Sequence, residues 1–195
     1  MKRENKAIIR GDILQNPEYF SMTKNDEYYM IKVGVTRLSG TVDEISVVMP
    51  RKSIDPDADY VGMRISVDGQ LQTIRKDKHL IMYVFATSAD IYYRYEDEEE
   101  EDLNEITFTG AMKNNILRKT SKMNIPISDV HFLSGKFYFP CIAWNDDAKL
   151  VKDSERDTEM KIEGRFQSRE YTKVVGNEAE RKVASEISIS KLEVL

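Results

Sequence analysis

The sequence predicts an all-β protein built as two small five-stranded barrels in tandem. Three observations lead there. First, apolar residues recur with a period of two, most clearly over Met160 to Lys173, which reads MKIEGRFQSREYTK; that spacing is the mark of a strand with one buried face. Second, no long stretch carries a helical period. Third, parts of the first half return in the second. Gly69, Leu71, Gln72 and Thr73 stand 95 residues before Gly164, Phe166, Gln167 and Ser168. NKAIIRGDI at 5–13 is echoed by NEITFTGAM at 104–112, each with Gly six residues after Asn.

Taken in order, a first strand is expected over Ala7–Leu14, with Asn16-Pro17 breaking it. Tyr28–Leu38 reads as a second strand, turned by Ser39-Gly40 into a third, Glu44–Met49, which Pro50 ends. SIDPDADYVG is short, acidic and contains Pro56, so a loop or an irregular turn is expected. Arg64–Arg75 and His79–Ile91 complete a first set of five. Residues 96–102, EDEEEED, pack like charges too densely to fold alone and read as a solvated linker. The order then repeats: Asn104–Met112, Ser128–Leu133, a Ser134-Gly135 turn, and Phe137–Trp144. Asn145 is positioned to cap a helix over Asp146–Arg156, with Ala148, Leu150 and Val151 as its apolar side. Met160–Lys173, a turn at Gly176-Asn177 and Lys182–Leu192 close the second set. In the last strand Ile187 and Ile189 fall on one side, and Ser188, Ser190 and Leu192 on the other. Two five-stranded Greek-key barrels, the second with a short helix between its third and fourth strands, describe tandem OB-folds. The expected division is 1–95, a linker at 96–103, and 104–195.

A chain of 195 residues suffices for two thin-cored units of this size. No apolar run approaches the ~20 residues of a membrane helix, and MKRENKAIIRG has no apolar signal segment. A single cysteine, Cys141, allows no internal disulfide; a cytoplasmic protein that does not enter membranes is expected. The net charge of -5 argues against a nucleic-acid partner only until it is resolved by segment. Residues 96–102 carry seven acids, whereas 1–95 hold 14 basic and 13 acidic residues and 103–195 hold 15 and 14. Both units are near neutral, so any nucleic-acid site must be a local patch rather than a general basic field.

Enzyme signatures are lacking: there is no GxxxxGK[ST] and no GxGxxG. The two histidines, His79 and His131, lie 52 residues apart without zinc spacing. Neither catalytic residues nor a cofactor or metal is expected. The strands of the second unit say more. Met160, Ile162 and Phe166 face one way, while Lys161, Arg165, Gln167, Arg169 and Tyr171 face the other with one acid, Glu163. In FYFPCIAW, Phe139, Cys141 and Ala143 suit a barrel interior, which places Tyr138 and Trp144 outside. Rings at Tyr138, Trp144 and Tyr171 among Lys161, Arg165, Arg169 and Lys173 fit single-strand binding, in which bases stack and cations follow phosphates.

These residues carry a resemblance. CIAW at 141–144, the EGRFQSREY strand and the closing ASEISISKLEVL, with the opening Asn104–Gly110, resemble the bacterial single-stranded DNA-binding protein family. The resemblance implies binding of single-stranded DNA without strict sequence preference, in replication, recombination or repair, and no catalysis. It also implies assemblies of four OB-folds, hence here a homodimer. Tyr138, Trp144 and Tyr171 fall where the family carries base-stacking aromatics. In the first unit Glu44, Pro50 and Lys76 take those places, so DNA binding there would depend on other rings, such as Tyr28, Tyr83 or Tyr92. The family's flexible acidic-tipped tail, which recruits repair proteins, has no counterpart before Leu195. The other reading the residues allow is an OB-fold adaptor that binds proteins and not nucleic acid.

Overall fold

Alternating side chains build ten strands. They are β1 (Asn5–Met22), β2 (Glu27–Thr36), β3 (Val42–Pro50), β4 (Arg64–Lys76), β5 (His79–Tyr92), β6 (Leu103–Lys119), β7 (Pro126–Ser134), β8 (Phe137–Trp144), β9 (Glu159–Val175) and β10 (Glu178–Val194). One helix, α1 (Asn145–Asp153), and a 3-10 turn at Arg51–Ser53 complete the elements. The computed structural model describes residues 3–76, 79–94, 100–119, 124–175 and 178–195, the backbone alone at 119, 170–175 and 178–182. The expected turn at Gly176-Asn177 lies outside the described residues, as do 96–99 of the acidic run.

Each half closes on itself. β1 pairs with β2 and β4, β2 with β3, β4 with β5, and β3 runs parallel to β5. β6 to β10 repeat every one of those pairings. The chain is therefore two OB-fold barrels in tandem, with α1 between the third and fourth strands of the second. Ile31, Val33, Ile45, Val47, Ile65 and Leu71 fill the first interior; Phe108, Phe132, Phe139, Ile162 and Phe166 fill the second. Cys141 is buried in that second interior, and burial pushes its thiol well up.

Two devices recur in both barrels. Asn5 Nδ2 donates to the Leu71 carbonyl (2.9 Å) and the Leu71 N–H donates back to Asn5 Oδ1 (2.9 Å). Asn104 does the same to Phe166, at 2.7 and 2.8 Å. Each side-chain amide thus imitates a strand neighbour. The second device is a bulge. Register slips in β5 opposite Asp68/Gly69 and in β10 at Ser190. The extra residues, Thr87 and Ser190, send their hydroxyls to the carbonyls of Asp68 (3.0 Å) and Glu163 (3.1 Å). Glycine is required beside each bulge: a Cβ on Gly69 would lie 2.5 Å from the Phe85 oxygen, and one on Gly164 2.4 Å from the Ser188 oxygen.

Several expectations change in the structure. β1 does not break at Asn16-Pro17 but runs on to Met22, because Pro17 falls between Gln15 and Glu18, where the register shifts and no ladder bond needs its missing N–H. Leu192 does not share a side with Ser188. The Ser190 bulge reverses the alternation and returns Leu192 to the interior with Ile187 and Ile189. α1 ends at Asp153 rather than Arg156, and Asn145 is its first residue (φ 52°) and gives no side-chain cap; Ala148 and Val151 are buried but Leu150 is half exposed. The end of the acidic run is anchored. Asp102 accepts from Arg64 (2.5 Å) and from the Thr36 N–H (2.7 Å), and the Tyr92 hydroxyl donates to Glu100 (2.5 Å). Arg64 has no exposed surface and also reaches Asp12 (3.3 Å). A buried guanidinium must keep acidic partners, and the connector supplies two, Asp102 at 2.5 Å and Glu100 at 4.0 Å.

The barrels meet along an antiparallel seam. Asn5 to Arg10 of β1 pair with Phe108 to Leu103 of β6. Asn5 faces Phe108 and Ile9 faces Asn104, so the two clamp asparagines lie symmetrically about it. Crossing hydrogen bonds reinforce it. The Glu44 N–H donates to Ser168 Oγ (2.8 Å) and the Tyr138 N–H donates to Thr73 Oγ1 (3.2 Å). A further crossing contact is made by Asp43, which accepts from Arg37 Nε (2.6 Å) and Nη2 (2.5 Å) and from the Ser168 N–H (2.9 Å).

Candidate nucleic-acid interface

β8 alternates as the sequence predicts. Phe139, Cys141 and Ala143 are buried inside, and Tyr138 and Trp144 are half-buried on the outer parity. Trp144 is the last extended residue of the strand (φ -125°, ψ 152°), and Asn145 turns the chain into α1 with a left-handed backbone that Asn tolerates. The indole therefore stays at the strand end. It lines an open groove of about 460 Å³ with Asn104, Glu105, Gly164, Arg165, Ser188 and Ser190. Arg165 is exposed and, among the described residues, makes no ion pair or side-chain hydrogen bond.

Tyr138 stands six residues away, roughly 20 Å along the strand. Its ring stacks on His131 (5.0 Å between centroids, 19° between planes) and its hydroxyl donates to Asn114 Oδ1 (3.0 Å). One ring face is thus already covered. Burial lowers the His131 pKa, against the pull of Asp129, so the imidazole beneath Tyr138 favours its neutral form.

The other predicted cations are placed as follows. Lys161 is not open: it meets Glu4 (3.3 Å) and Glu163 (3.7 Å). Arg169 pairs with Glu186 (3.6 Å), which also accepts from Gln167 (3.3 Å). The side chains of Tyr171 and Lys173 lie outside the described residues. Between Tyr138 and Trp144 the face carries a charge network that sequence reasoning missed. Arg118 binds Asp129 through two bonds of 2.7 and 2.9 Å. The Arg118 bonds hold Asp129 below its ordinary value, while burial raises Glu186 despite Arg169. No spacing rule could have found these partners, since Asp129 and Glu186 sit on strands far apart in sequence.

A larger groove of about 820 Å³ opens between the barrels. Tyr19, Phe20, Lys32, Lys76 and His79 contribute from the first barrel, His131 and Pro140 from the second. Lys32 is held by Glu44 (3.1 Å) and Ser46 (2.9 Å). Among the described residues no three His, Cys, Asp or Glu side chains are grouped to hold a metal ion, and no helix is long and apolar enough to cross a membrane.

Comparison with protein-family models and with curated protein sequences gives no match. Comparison with solved structures does. The whole chain superposes on wild-type single-stranded DNA binding protein from Thermus aquaticus with a TM-score of 0.76 at 15% identity, covering 94% of that chain. A deletion mutant of the same Thermus aquaticus protein gives 0.75 at 15% identity, with 100% of this chain and 95% of that one covered. At this identity the likeness is one of fold, and it extends over both barrels.

Proposed function

We propose that the protein binds single-stranded DNA, without catalysis and with little sequence preference, mainly on its second barrel. The observation that carries this reading is the shared groove of Trp144 and Arg165. A base stacks on the indole, the guanidinium meets the adjoining phosphate, and the Ser188 and Ser190 hydroxyls flank the path. Stacking is worth about 1–3 kcal/mol per base and serves any base, because every base has a π-face. From there the strand runs along β8 toward Tyr138 and the groove between the barrels. Arg169, Tyr171 and Lys173 of β9 complete the proposed contacts, whereas Lys161 serves the seam with Glu4. Residues 104–195 form the main binding unit, 1–95 the second unit and 96–103 the connector. Two chains associate so that four barrels act together, in replication, recombination or repair. The likeness of fold to a single-stranded DNA binding protein supports this reading.

Trp144 is the only tryptophan, so its fluorescence is a direct test. Adding oligo-dT at low salt quenches it, and affinity falls as salt rises because phosphate contacts release counterions. An unquenched indole together with no gel shift refutes the proposal. A second reading, a protein-binding adaptor, draws on one observation: carboxylates already occupy Lys161, Arg118 and Arg169. Capture of a partner protein by a chain that ignores oligonucleotides decides for it.

A further inference from the structure

The strand registers align the two barrels residue by residue. Val47 and Val48 of β3 pair with Val84 and Phe85 of β5; Cys141 and Ile142 of β8 pair with Ile187 and Ser188 of β10. Phe85 therefore occupies the place of Ser188, Pro50 that of Trp144, and the bulged Thr87 that of Ser190. A groove of about 330 Å³ opens at this place in the first barrel, lined by Tyr28, Pro50, Phe85 and Thr87, with Lys52 and Asp26 at its rim. It overlaps the place of the Trp144 groove at Pro50, Phe85, Ala86 and Thr87 but opens toward β2, where the Trp144 groove opens toward β6 and β9. Its volume is at the small end of the ~300–1,000 Å³ typical of small-ligand sites.

The aromatic surface is not lost there; it has moved by one strand. Phe85 supplies a ring where the second barrel has a serine. Tyr28, in register with Pro50, sets a second ring against it at 5.6 Å and 50°. Both rings are half-buried, so each keeps an accessible edge or face. Lys52 is exposed and, among the described residues, has no ion pair, unlike Lys161. One acid borders each groove, Asp26 here and Glu105 there. The groove between the barrels lies between these two ends, since it is lined by Ser46 and Pro140. Four residues separate Ser46 from Pro50 and Pro140 from Trp144, roughly 13 Å on each side.

We propose that Tyr28 and Phe85 form a second base-stacking site for the same single strand, with Lys52 on its phosphate. This inference rests on the strand-binding reading above. The test uses the full chain and dT oligomers of increasing length. In the double variant Trp144→Phe, Phe85→Trp, the remaining indole reports on the first barrel alone. Its emission is expected to be quenched only by the longer oligomers. Phe85→Ala is expected to weaken long-oligomer binding by roughly 5- to 150-fold, leave short-oligomer quenching of Trp144 unchanged, and be rescued by Phe85→Tyr. Normal quenching of Trp144 in the unmodified chain, with a silent indole in the double variant, overturns this site and leaves the strand-binding reading intact. No oligomer binding to the unmodified chain overturns both. Should Phe85→Ala lose its cooperative melting transition, the double variant still decides.

Discussion

Removing the Asp43 carboxylate tests how the barrels are joined. Asp43 is fully buried, and the Arg37 side chain is only 19% exposed. Asp43→Ala deletes both acceptors of the guanidinium and the acceptor of the Ser168 N–H in the other barrel. Breaking a buried ion pair by removing one partner costs about 3–5 kcal/mol, because a charge is left without compensation. Arg37 keeps some access to water and a long contact with the Ser168 carbonyl (3.5 Å), so the lower end applies, about 3 kcal/mol. For a chain of this size that is roughly a 6–12 °C fall in Tm. Asp43→Asn keeps one acceptor and should lose about half as much. Urea unfolding followed by circular dichroism gives the free energies. A loss under about 0.5 kcal/mol for Asp43→Ala would show that the buried carboxylate does not join the barrels, and would refute the reasoning.

Trp144→Ala should weaken oligo-dT binding by about 1–3 kcal/mol, and Pro50→Ala by less; the reverse order in a titration would invert the assignment of the main barrel. Glu186→Gln removes a negative charge from the binding face and releases Arg169, so dT affinity should rise and the salt slope steepen by up to about one. The same variant tests linkage. Burial raises the Glu186 pKa in the folded state above its ordinary 4.5, so the folded protein holds that proton more tightly than the unfolded chain. Its contribution is fully present below about pH 4.5 and is lost as pH rises through the folded value; Glu186→Gln should flatten that part of a stability-pH curve. Asn5→Ala and Asn104→Ala should each cost about 1–3 kcal/mol in urea unfolding, since each leaves a strand N–H and carbonyl without partners. A large cost for one and none for the other would break the claimed equivalence.

Local alternation made the barrels legible. Met160, Ile162 and Phe166 announce a buried face by spacing alone, and Asn5 and Asn104 mark matching strands by their distance from glycine. What escaped depends on events outside the period of two. A single extra residue at Ser190 reverses the pattern, so Leu192 is misread by parity. Charge partners escaped for another reason. Lys161 reads as free until Glu4 arrives from the far barrel, and Glu100 and Asp102 read as solvated until Arg64 is seen beneath them. Side chains from distant strands meet only when the sheet curls, and no window of sequence holds both. Phe85 was hidden likewise: as one apolar residue in an apolar strand, it becomes conspicuous only when the registers show it at the place that Ser188 holds in the second barrel.

The β1–β6 seam ties two near-copies into one polymer. Separate subunits joined by such a short ladder would come apart on dilution, but a covalent connection holds the local concentration of one half near the other at about millimolar. The pair therefore persists at nanomolar amounts of chain. It also fixes which half meets which, and each half is free to accumulate changes that the other never copies, as the serine and phenylalanine at one matching position already record.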